Sequence, residues 1–226
     1  QARRCENEVE GWSGPRAPCL RLAGNSLVGV RHDVPLRQGA SCITVSGQGT
    51  FTRLVLRDRV AQFEAARVVT GAVTPGPRDI VIEAERPAAE SARKGRAQEK
   101  VAASGGLAYC QIDGPVQWVE WAFDVAEAAS YELFIRGAGD HPEVVRELRI
   151  DGKGFPGERV GVRMPGTGGW CRTQDDWAWF QVLAGAGQPA TVPLAAGRHT
   201  LRLEFIQGSQ NVDLLLLRPA PSAAAR

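Results

Sequence analysis

Hydrophobic and polar residues alternate in several stretches of the chain. Apolar side chains recur at every second position in the stretches that begin at Val28, Leu54, Tyr131 and Leu201, with polar or small residues between them. A period of two places the apolar side chains on one face of an extended strand and the polar ones on the other. The pattern therefore predicts half-buried β-strands in both halves of the chain.

Glycine and proline separate these stretches. The chain has 26 glycines and 14 prolines, and such residues are typical of the turns between short strands. Residues 87–101 differ, because they are rich in Ala, Glu, Arg and Lys and their apolar residues are nearly all alanines. A helix there would have little to bury, so we predict a charged loop or a short helical turn. The predicted fold class is all-β.

The clearest break between apolar stretches lies at residues 74–77, which read Thr-Pro-Gly-Pro. Proline fixes φ and lacks a backbone donor, so two prolines and a glycine in four residues interrupt regular structure. We therefore predict a small β-rich domain over residues 1–74, whose length suits an incomplete sandwich. A larger domain is predicted over residues 78–219, followed by a tail over residues 220–226.

Charge and hydropathy argue against two classes of partner. The 27 basic and 25 acidic residues give a formal net charge of +2, whereas nucleic-acid binding needs a clustered basic face. No apolar run approaches the roughly 18 residues that a membrane helix needs. We therefore expect neither a nucleic-acid partner nor a membrane span.

Cysteine usage bears on the compartment. The five cysteines are Cys5, Cys19, Cys42, Cys110 and Cys171. None forms a C-x-x-C pair and the chain has only three histidines, which argues against a zinc site. We favour disulfides that pair Cys5 with Cys19 and Cys110 with Cys171, which leaves Cys42 without a role; the alternative is five buried free thiols. Disulfides imply secretion, and the absence of a visible signal peptide fits either a mature secreted chain or a trimmed one.

Several segments of the larger domain resemble, in order, segments of the family 6 and family 35 carbohydrate-binding modules. They read IEAE from residue 82, ASGGLAY from 103, WVEW from 118, ASYEL from 129, RIDG from 149, GTGGW from 166, LAAGRHTLRL from 194 and NVD from 211. The resemblance implies a galactose-binding-like jelly-roll β-sandwich over residues 78–219. It does not cover the smaller β-rich domain that precedes it.

The resemblance also implies a structural calcium site. Glu83 and Glu85 are two apart on a predicted strand, so both carboxylates point to one face, where they repel each other unless a cation or protons intervene. In the resembled modules this pair and the aspartate of the closing strand, here Asp213, hold Ca²⁺, which takes roughly six to eight oxygen ligands. Such an ion would tie the first strand to the last. The alternative is two exposed strand glutamates without a metal.

A glycan-binding cleft is the second implication. Sugars present apolar C–H faces that pack on aromatic rings, and hydroxyls that need planar polar partners. The residues in segments that form a loop-end cleft in those modules are Tyr109, Trp170, Trp177, Trp179 and Asn211. We expect Trp118, Trp121 and one of the tryptophans at 177 and 179 to be core residues instead. The spacing between residues 170 and 177 departs from the family pattern, so the resemblance does not identify the sugar.

No catalytic pattern is present. A glycosidase needs two carboxylates that flank the scissile bond, whereas the adjacent Asp175 and Asp176 would face opposite ways on a strand. The chain has no G-x-S-x-G elbow, P-loop or H-E-x-x-H motif. We therefore expect a secreted, non-catalytic glycan-binding protein. The alternative is a structural subunit of an extracellular filament or surface assembly, because the short first domain would suit completion by a strand from a neighbour.

Overall fold

Strands account for most of the described chain. The computed structural model describes residues 64–221 in full, apart from Pro115, Arg159 and the side chain of Ala186; before residue 64 it describes only the backbone of the strands. Two short 3-10 turns are the only helical elements of the described residues. The predicted all-β class is confirmed. Within the part that is described, no helix has the length and apolarity needed to cross a membrane.

In the first of two compact units, Gln1–Ala61, the described residues form short antiparallel strands. Their bounds are β1 Arg3–Glu10, β2 Cys19–Leu22, β3 Val34–Leu36, β4 Ile43–Ser46 and β5 Arg53–Arg59. β1 lies between β3 and β5, and β2 pairs with β4. These strands agree with the β-rich class that was predicted for the first part of the chain. The side chains of Cys5, Cys19 and Cys42, and with them the predicted Cys5–Cys19 disulfide, lie outside the described residues.

The second unit, Gln62–Arg226, carries the remaining strands. Its first strands are β6 Gln62–Ala65, β7 Arg67–Val69, β8 Ile80–Glu83, β9 Ala89–Glu90, β10 Arg96–Glu99, β11 Leu107–Ile112, β12 Trp118–Val125 and β13 Ala129–Ala138. They are followed by β14 Glu143–Ile150, β15 Lys153–Phe155, β16 Val160–Pro165, β17 Ala178–Gln181, β18 Leu183–Ala184, β19 Gln188–Pro189, β20 Thr191–Leu194, β21 Gly197–Gln207 and β22 Gln210–Pro219. The 3-10 turns are Ser104–Gly106 and Gly185–Gly187.

Two sheets form the sandwich of this unit. Sheet I has the order β10-β11-β22-β13-β17-β7, with β8 on β22 and β20 on β13. Sheet II has the order β6-β16-β14-β21-β12-β9, with β15 on β14. Alternate side chains from both sheets form one core, whose largest fully buried members include Trp121, Leu133, Phe180, Leu203 and Leu215. Burial of this apolar surface is the main stabilising term of such a fold.

The second unit begins before the predicted break at residues 74–77. Strand β6 pairs in parallel with β16 of sheet II, and β7 pairs with β17 of sheet I, so residues 62–69 are part of the sandwich. The chain then covers the outer face of sheet I, where Val69 and Val73 pack on Leu214 and Leu216. The two prolines therefore lie within the second unit and do not mark its boundary. The segment that precedes them belongs to this unit because its valines cover an apolar face of sheet I.

The segment at residues 87–101 contains strands that its composition did not predict. It is loop for much of its length but includes β9 and β10, which lie at the edges of sheet II and sheet I. Edge strands need not bury a row of large apolar side chains. The alanine-rich composition therefore carried no strand signal, and the helical turn that we allowed there is absent from the described residues.

His199 forms an ion pair at the end of the sandwich where β14 meets β15. Its Nδ1 lies 2.7 Å from a carboxylate oxygen of Asp151, and its Nε2 lies 2.9 Å from the carbonyl oxygen of Ala195. Two acceptors call for two donors, so this arrangement favours the doubly protonated imidazolium over the neutral ring. The hydrogen bond to Asp151 raises the pKa of His199, against the opposing effect of burial. Burial alone would raise the pKa of Asp151, but the His199 hydrogen bond brings it below its usual value.

This pair predicts a pH-dependent stability. The raised pKa of His199 adds stability that is complete below about pH 6.5 and is lost as pH rises through the folded-state value. The lowered pKa of Asp151 adds stability that is lost as pH falls below about 4. The free energy of unfolding, measured in urea, should therefore fall between pH 5.5 and pH 8.5. We expect this fall to be larger for the wild type than for His199→Gln or Asp151→Asn. Equal falls in all three proteins would contradict the prediction.

Candidate functional site

Three loops meet at one end of the sandwich, which we call the loop end: residues 139–142, 166–177 and 208–209. The backbone N–H of Thr167 donates to the carbonyl oxygen of Gly139 at 2.8 Å. A methyl group at Gly166 would lie 2.0 Å from the carbonyl oxygen of His141, and one at Gly139 would lie 2.9 Å from that of Ser209. Side chains at these two glycines would therefore push the loops apart, so close backbone packing explains Gly139 and the first glycine of the G-T-G-G sequence. The next glycine, Gly168, has a φ of 86°, and the last, Gly169, lies against the Asp176 carboxylate.

Trp170 and Asn211 are brought together at the loop end. The Asn211 side-chain amide donates to the main-chain carbonyl of Trp170 at 3.1 Å, and Asn211 is only 4% exposed. The Trp170 ring is half-buried, and the exposed His141 ring meets it edge to face at 5.9 Å. Asn211 therefore fixes the main chain of Trp170, and the rings of Trp170 and His141 lie together near the surface of the loop end. His141 was not predicted to lie beside Trp170, because a single histidine in a loop has no recognisable sequence pattern.

Tyr109 lies in the core and not at the loop end. Its side chain is 2% exposed and its hydroxyl donates to the Glu90 carboxylate at 2.5 Å. The ring packs edge to face on Trp121 at 6.3 Å. Burial, and then the neighbouring Glu90 carboxylate, raise the pKa of Tyr109 above its usual value. Two positions after Tyr109, Gln111 is exposed. It adopts a φ of 66° at the bulge where β11 pairs with the start of β22.

The two tryptophans of the D-D-W-A-W run have different surroundings. Trp179 on β17 is 9% exposed and packs in the outer cluster of sheet I with Phe134, Leu214 and Leu216. Trp177 is half-buried; its indole N–H donates to the Val101 carbonyl at 2.9 Å. The expectation that one of the two is a core residue is met by Trp179, which leaves Trp177 as the one near the surface.

The loop that carries Trp177 is held by its own carboxylates. Asp175 accepts the backbone N–H of Trp177 at 3.1 Å, and Asp176 accepts the N–H of Cys171 at 2.8 Å and the side-chain amide of Gln174 at 2.7 Å. These bonds shape the segment that departs from the family spacing. Both carboxylates are used to bind the backbone or side chain of the same loop.

Buried carboxylates form a second candidate site beneath the Ser104–Gly106 turn. Asp213 is fully buried, forms an ion pair with Arg136, and accepts the N–H of Ser104 at 2.8 Å. The Ser104 hydroxyl donates to Glu83 at 2.9 Å. Burial raises the pKa of Asp213, and the Glu83 carboxylate adds to this effect. The Oε2 atoms of Glu83 and Glu85 are buried without a hydrogen-bond partner.

These contacts test whether the predicted Ca²⁺ would fit. The two partnerless oxygens of Glu83 and Glu85 are hard oxygen ligands of the kind that calcium takes. The charge of Asp213, however, is already compensated by Arg136. In the described part of the chain, no three His, Cys, Asp or Glu side chains are grouped as a metal site. The free Glu83 and Glu85 oxygens are of the right chemical type for the ion, but Glu85 also pairs with Arg86 at 3.4 Å, so two of the three carboxylates already have a positive partner.

The predicted disulfide between Cys110 and Cys171 is wrong. Both are buried free thiols. The Sγ atom of Cys110 lies 3.5 Å from the carbonyl oxygen of Ala108 on its own strand, whereas Cys171 belongs to the 166–177 loop. Burial raises the pKa of Cys110 to about 11 and that of Cys171 to about 12, so neither is a reactive thiolate at neutral pH. Order along the chain carries no information about the short Cα separation that a disulfide needs.

Solved structures share this fold, whereas no family model and no curated protein matches the sequence. The family 35 carbohydrate-binding module of Paenibacillus barcinonensis is 15% identical over 62% of this chain and 98% of the module, with a TM-score of 0.50. The GH26-CBM35 β-(1,4)-mannanase of Podospora anserina is 17% identical over 64% of this chain, with a TM-score of 0.50. This chain spans only 28% of that enzyme.

The comparison defines the class of fold. The second unit has a β-sandwich fold similar to that of the family 35 carbohydrate-binding modules, as the sequence resemblance predicted. The likeness concerns the fold, because the identities are low.

Proposed function

We propose that this protein is a secreted, non-catalytic glycan-binding protein whose ligand packs on Trp170 at the loop end. The observation that carries the proposal is the fixed position of this tryptophan, whose main chain is held by the buried Asn211. A half-buried indole ring on a fixed main chain offers an apolar face for a sugar, and a rigid aromatic side chain loses little conformational entropy on binding. The exposed imidazole of His141 beside it can exchange hydrogen bonds with hydroxyls.

A binding role suits the carboxylates of the loop end better than a catalytic one. Both oxygens of Asp176 and one oxygen of Asp175 accept hydrogen bonds within the 171–177 segment, so these carboxylates have a structural task in the loop. Secretion is part of the proposal because polysaccharides are mainly extracellular ligands; the free thiols Cys110 and Cys171 give it no support. Nothing among the described residues favours self-association into a filament, and we do not propose it.

The proposal also includes Ca²⁺ as a structural ion held by Glu83 and Glu85, with Asp213 as a third ligand. Two buried carboxylate oxygens without partners are its support, since such atoms are costly unless a cation or proton meets them. The ion would supply positive charge between β8 and β22, which already pair as neighbouring strands. Its expected effect is on the melting temperature and not on the identity of the sugar.

Trp170→Ala tests the function. We expect it to weaken glycan binding by about 30-fold or more, the loss that follows from truncating a central aromatic contact. The measurement is a glycan array on wild-type protein, followed by calorimetric titration of the best ligand against the variant. The matched control is Trp118→Ala, on the outer face of sheet II, which should retain wild-type affinity.

Two results would contradict the proposal. One is a wild-type protein that binds no plant, algal or microbial glycan on the array. The other is a glycan whose affinity is lowered equally by Trp170→Ala and Trp118→Ala, since that would place the ligand away from the loop end. Circular dichroism of both variants establishes that the loss of affinity is measured on folded protein.

A further inference from the structure

Arg146 is a fully buried arginine at the loop-bearing end of the core. It lies on β14, opposite Phe205 of β21, and is 0% exposed. It has the same parity along the strand as the core residues Leu148 and Ile150, so its side chain enters the space between the sheets. The guanidinium carbon lies 5.2 Å from the centre of the Phe205 ring.

All hydrogen-bond acceptors of Arg146 are main-chain carbonyls. Nη1 donates to Val145 at 2.8 Å and to Gln207 at 2.7 Å. Nη2 donates to Ile112 at 3.0 Å and to Gly208 at 2.8 Å, while Nε has no partner. Burial lowers the pKa of Arg146 to about 9, although the charge of Asp113 acts in the opposite direction. One side chain therefore connects sheet II to the end of β11 and to the turn between β21 and β22.

Burying Arg146 in the core carries a large desolvation cost. A buried cation whose hydrogen bonds go only to neutral carbonyls loses its hydration, and an apolar side chain of similar volume would fill the same space without that cost. What the guanidinium supplies is direction, because its planar fork fixes several carbonyls at once. The side chain of Gln117 holds the adjoining loop in the same manner, through the N–H groups of Asp113 and Gly114 and the carbonyl of Gln111.

One of the carbonyls that Arg146 binds, that of Gly208, is connected through the backbone to the candidate site. Gly208 opens the turn that continues into β22 and Asn211, whose amide binds the carbonyl of Trp170. Gly208 is closely packed against β14: its φ is 70°, and a methyl group there would lie 2.5 Å from the carbonyl oxygen of Glu143. A displacement of this turn would therefore be passed to Asn211 and from it to Trp170.

We propose that Arg146 is the positioning residue of the loop end: by holding the carbonyls of Ile112, Gln207 and Gly208, it sets the orientation of Asn211 and Trp170. That this orientation serves a glycan rests on the function proposed above. The positioning itself is a property of the ligand-free protein.

The test compares Arg146→Met, which keeps most of the volume and removes the four hydrogen bonds, with Leu148→Ala on the same face of the same strand. The first readout is the NMR signals of the Asn211 amide and the Trp170 indole without ligand. We expect both to move in Arg146→Met and to stay at their wild-type positions in Leu148→Ala. The second readout is glycan affinity of the folded protein, which we expect to fall about tenfold or more in Arg146→Met only. Arg146→Lys, with three donors on a flexible stem, should be intermediate.

Wild-type signals and wild-type affinity in folded Arg146→Met would overturn the proposal and leave Arg146 a role in stability alone. Equal shifts in Leu148→Ala would overturn it as well. If Arg146→Met does not fold, Arg146→Lys decides: unmoved Asn211 and Trp170 signals overturn the proposal, and displaced signals support it. If the wild type binds no glycan, the function fails but the ligand-free signals still test the positioning.

Discussion

Replacing Asp213 by alanine is expected to lower the free energy of unfolding by about 3–5 kcal/mol. The carboxylate is fully buried, and its loss leaves the Arg136 guanidinium without its counter-charge and the Ser104 N–H without its acceptor. Leaving a largely buried charge unpaired costs far more than losing an exposed pair. Urea unfolding followed by circular dichroism measures the difference.

The matched control is Asp124→Ala, which removes an aspartate from an exposed ion pair. Asp124 and Arg198 lie 3.5 Å apart with side chains 74% and 68% exposed, so the expected loss is at most about 1 kcal/mol. If the Asp213 and Asp124 variants lose the same stability, the buried pair does not stabilise the sandwich.

The same variants test the calcium ion. We expect the melting temperature of the wild type to fall after treatment with EDTA and to recover with added calcium, because the ion would bind only the folded arrangement of Glu83, Glu85 and Asp213. Asp213→Ala and Glu83→Gln should lose this dependence. A wild-type melting temperature that is indifferent to calcium would dismiss the ion, while the prediction for the Arg136 pair would stand.

The second large effect is expected for Trp121→Ala, about 3–5 kcal/mol of lost stability. Trp121 is fully buried, its indole N–H donates to the Ala84 carbonyl at 2.9 Å, and its ring supports Tyr109. Truncation would leave a cavity at the centre of the core and an unsatisfied carbonyl. The measurement is again the free energy of unfolding in urea.

Trp118→Ala on the same strand provides the control of equal size. Its half-buried ring lies on the outer face of sheet II, 4.0 Å from the guanidinium carbon of Arg202, a contact of about 0.5–1 kcal/mol. We expect a loss near that value. Similar losses for Trp118 and Trp121 would mean that the interior of the sandwich is not where the structure places it.

Much of the fold was predictable because strands repeat every two residues. Alternation in the stretches at Tyr131 and Leu201 predicted β13 and β21. The expectation that Trp118 is a core residue was wrong, because its odd spacing from Trp121 places the two rings on opposite faces of β12, and Trp118 lies half-buried on the outer face. The same alternation predicts that Arg146, two positions before the core residue Leu148, points into the sandwich. This conflicts with the general expectation that charged side chains lie outside. The alternation at Arg146 was therefore missed.

The sequence by itself determined the all-β class, the sandwich resemblance and the membership of each face along a strand. Only the tertiary structure decided which faces are inward, so Tyr109 and Trp179 proved to be buried and Trp170 and Trp177 half-exposed. It also decided that Cys110 and Cys171 stay unpaired and that residues 62–73 belong to the sandwich. The physical reason is that periodicity is a local property of the backbone, whereas burial, pairing and cover depend on which strands become neighbours.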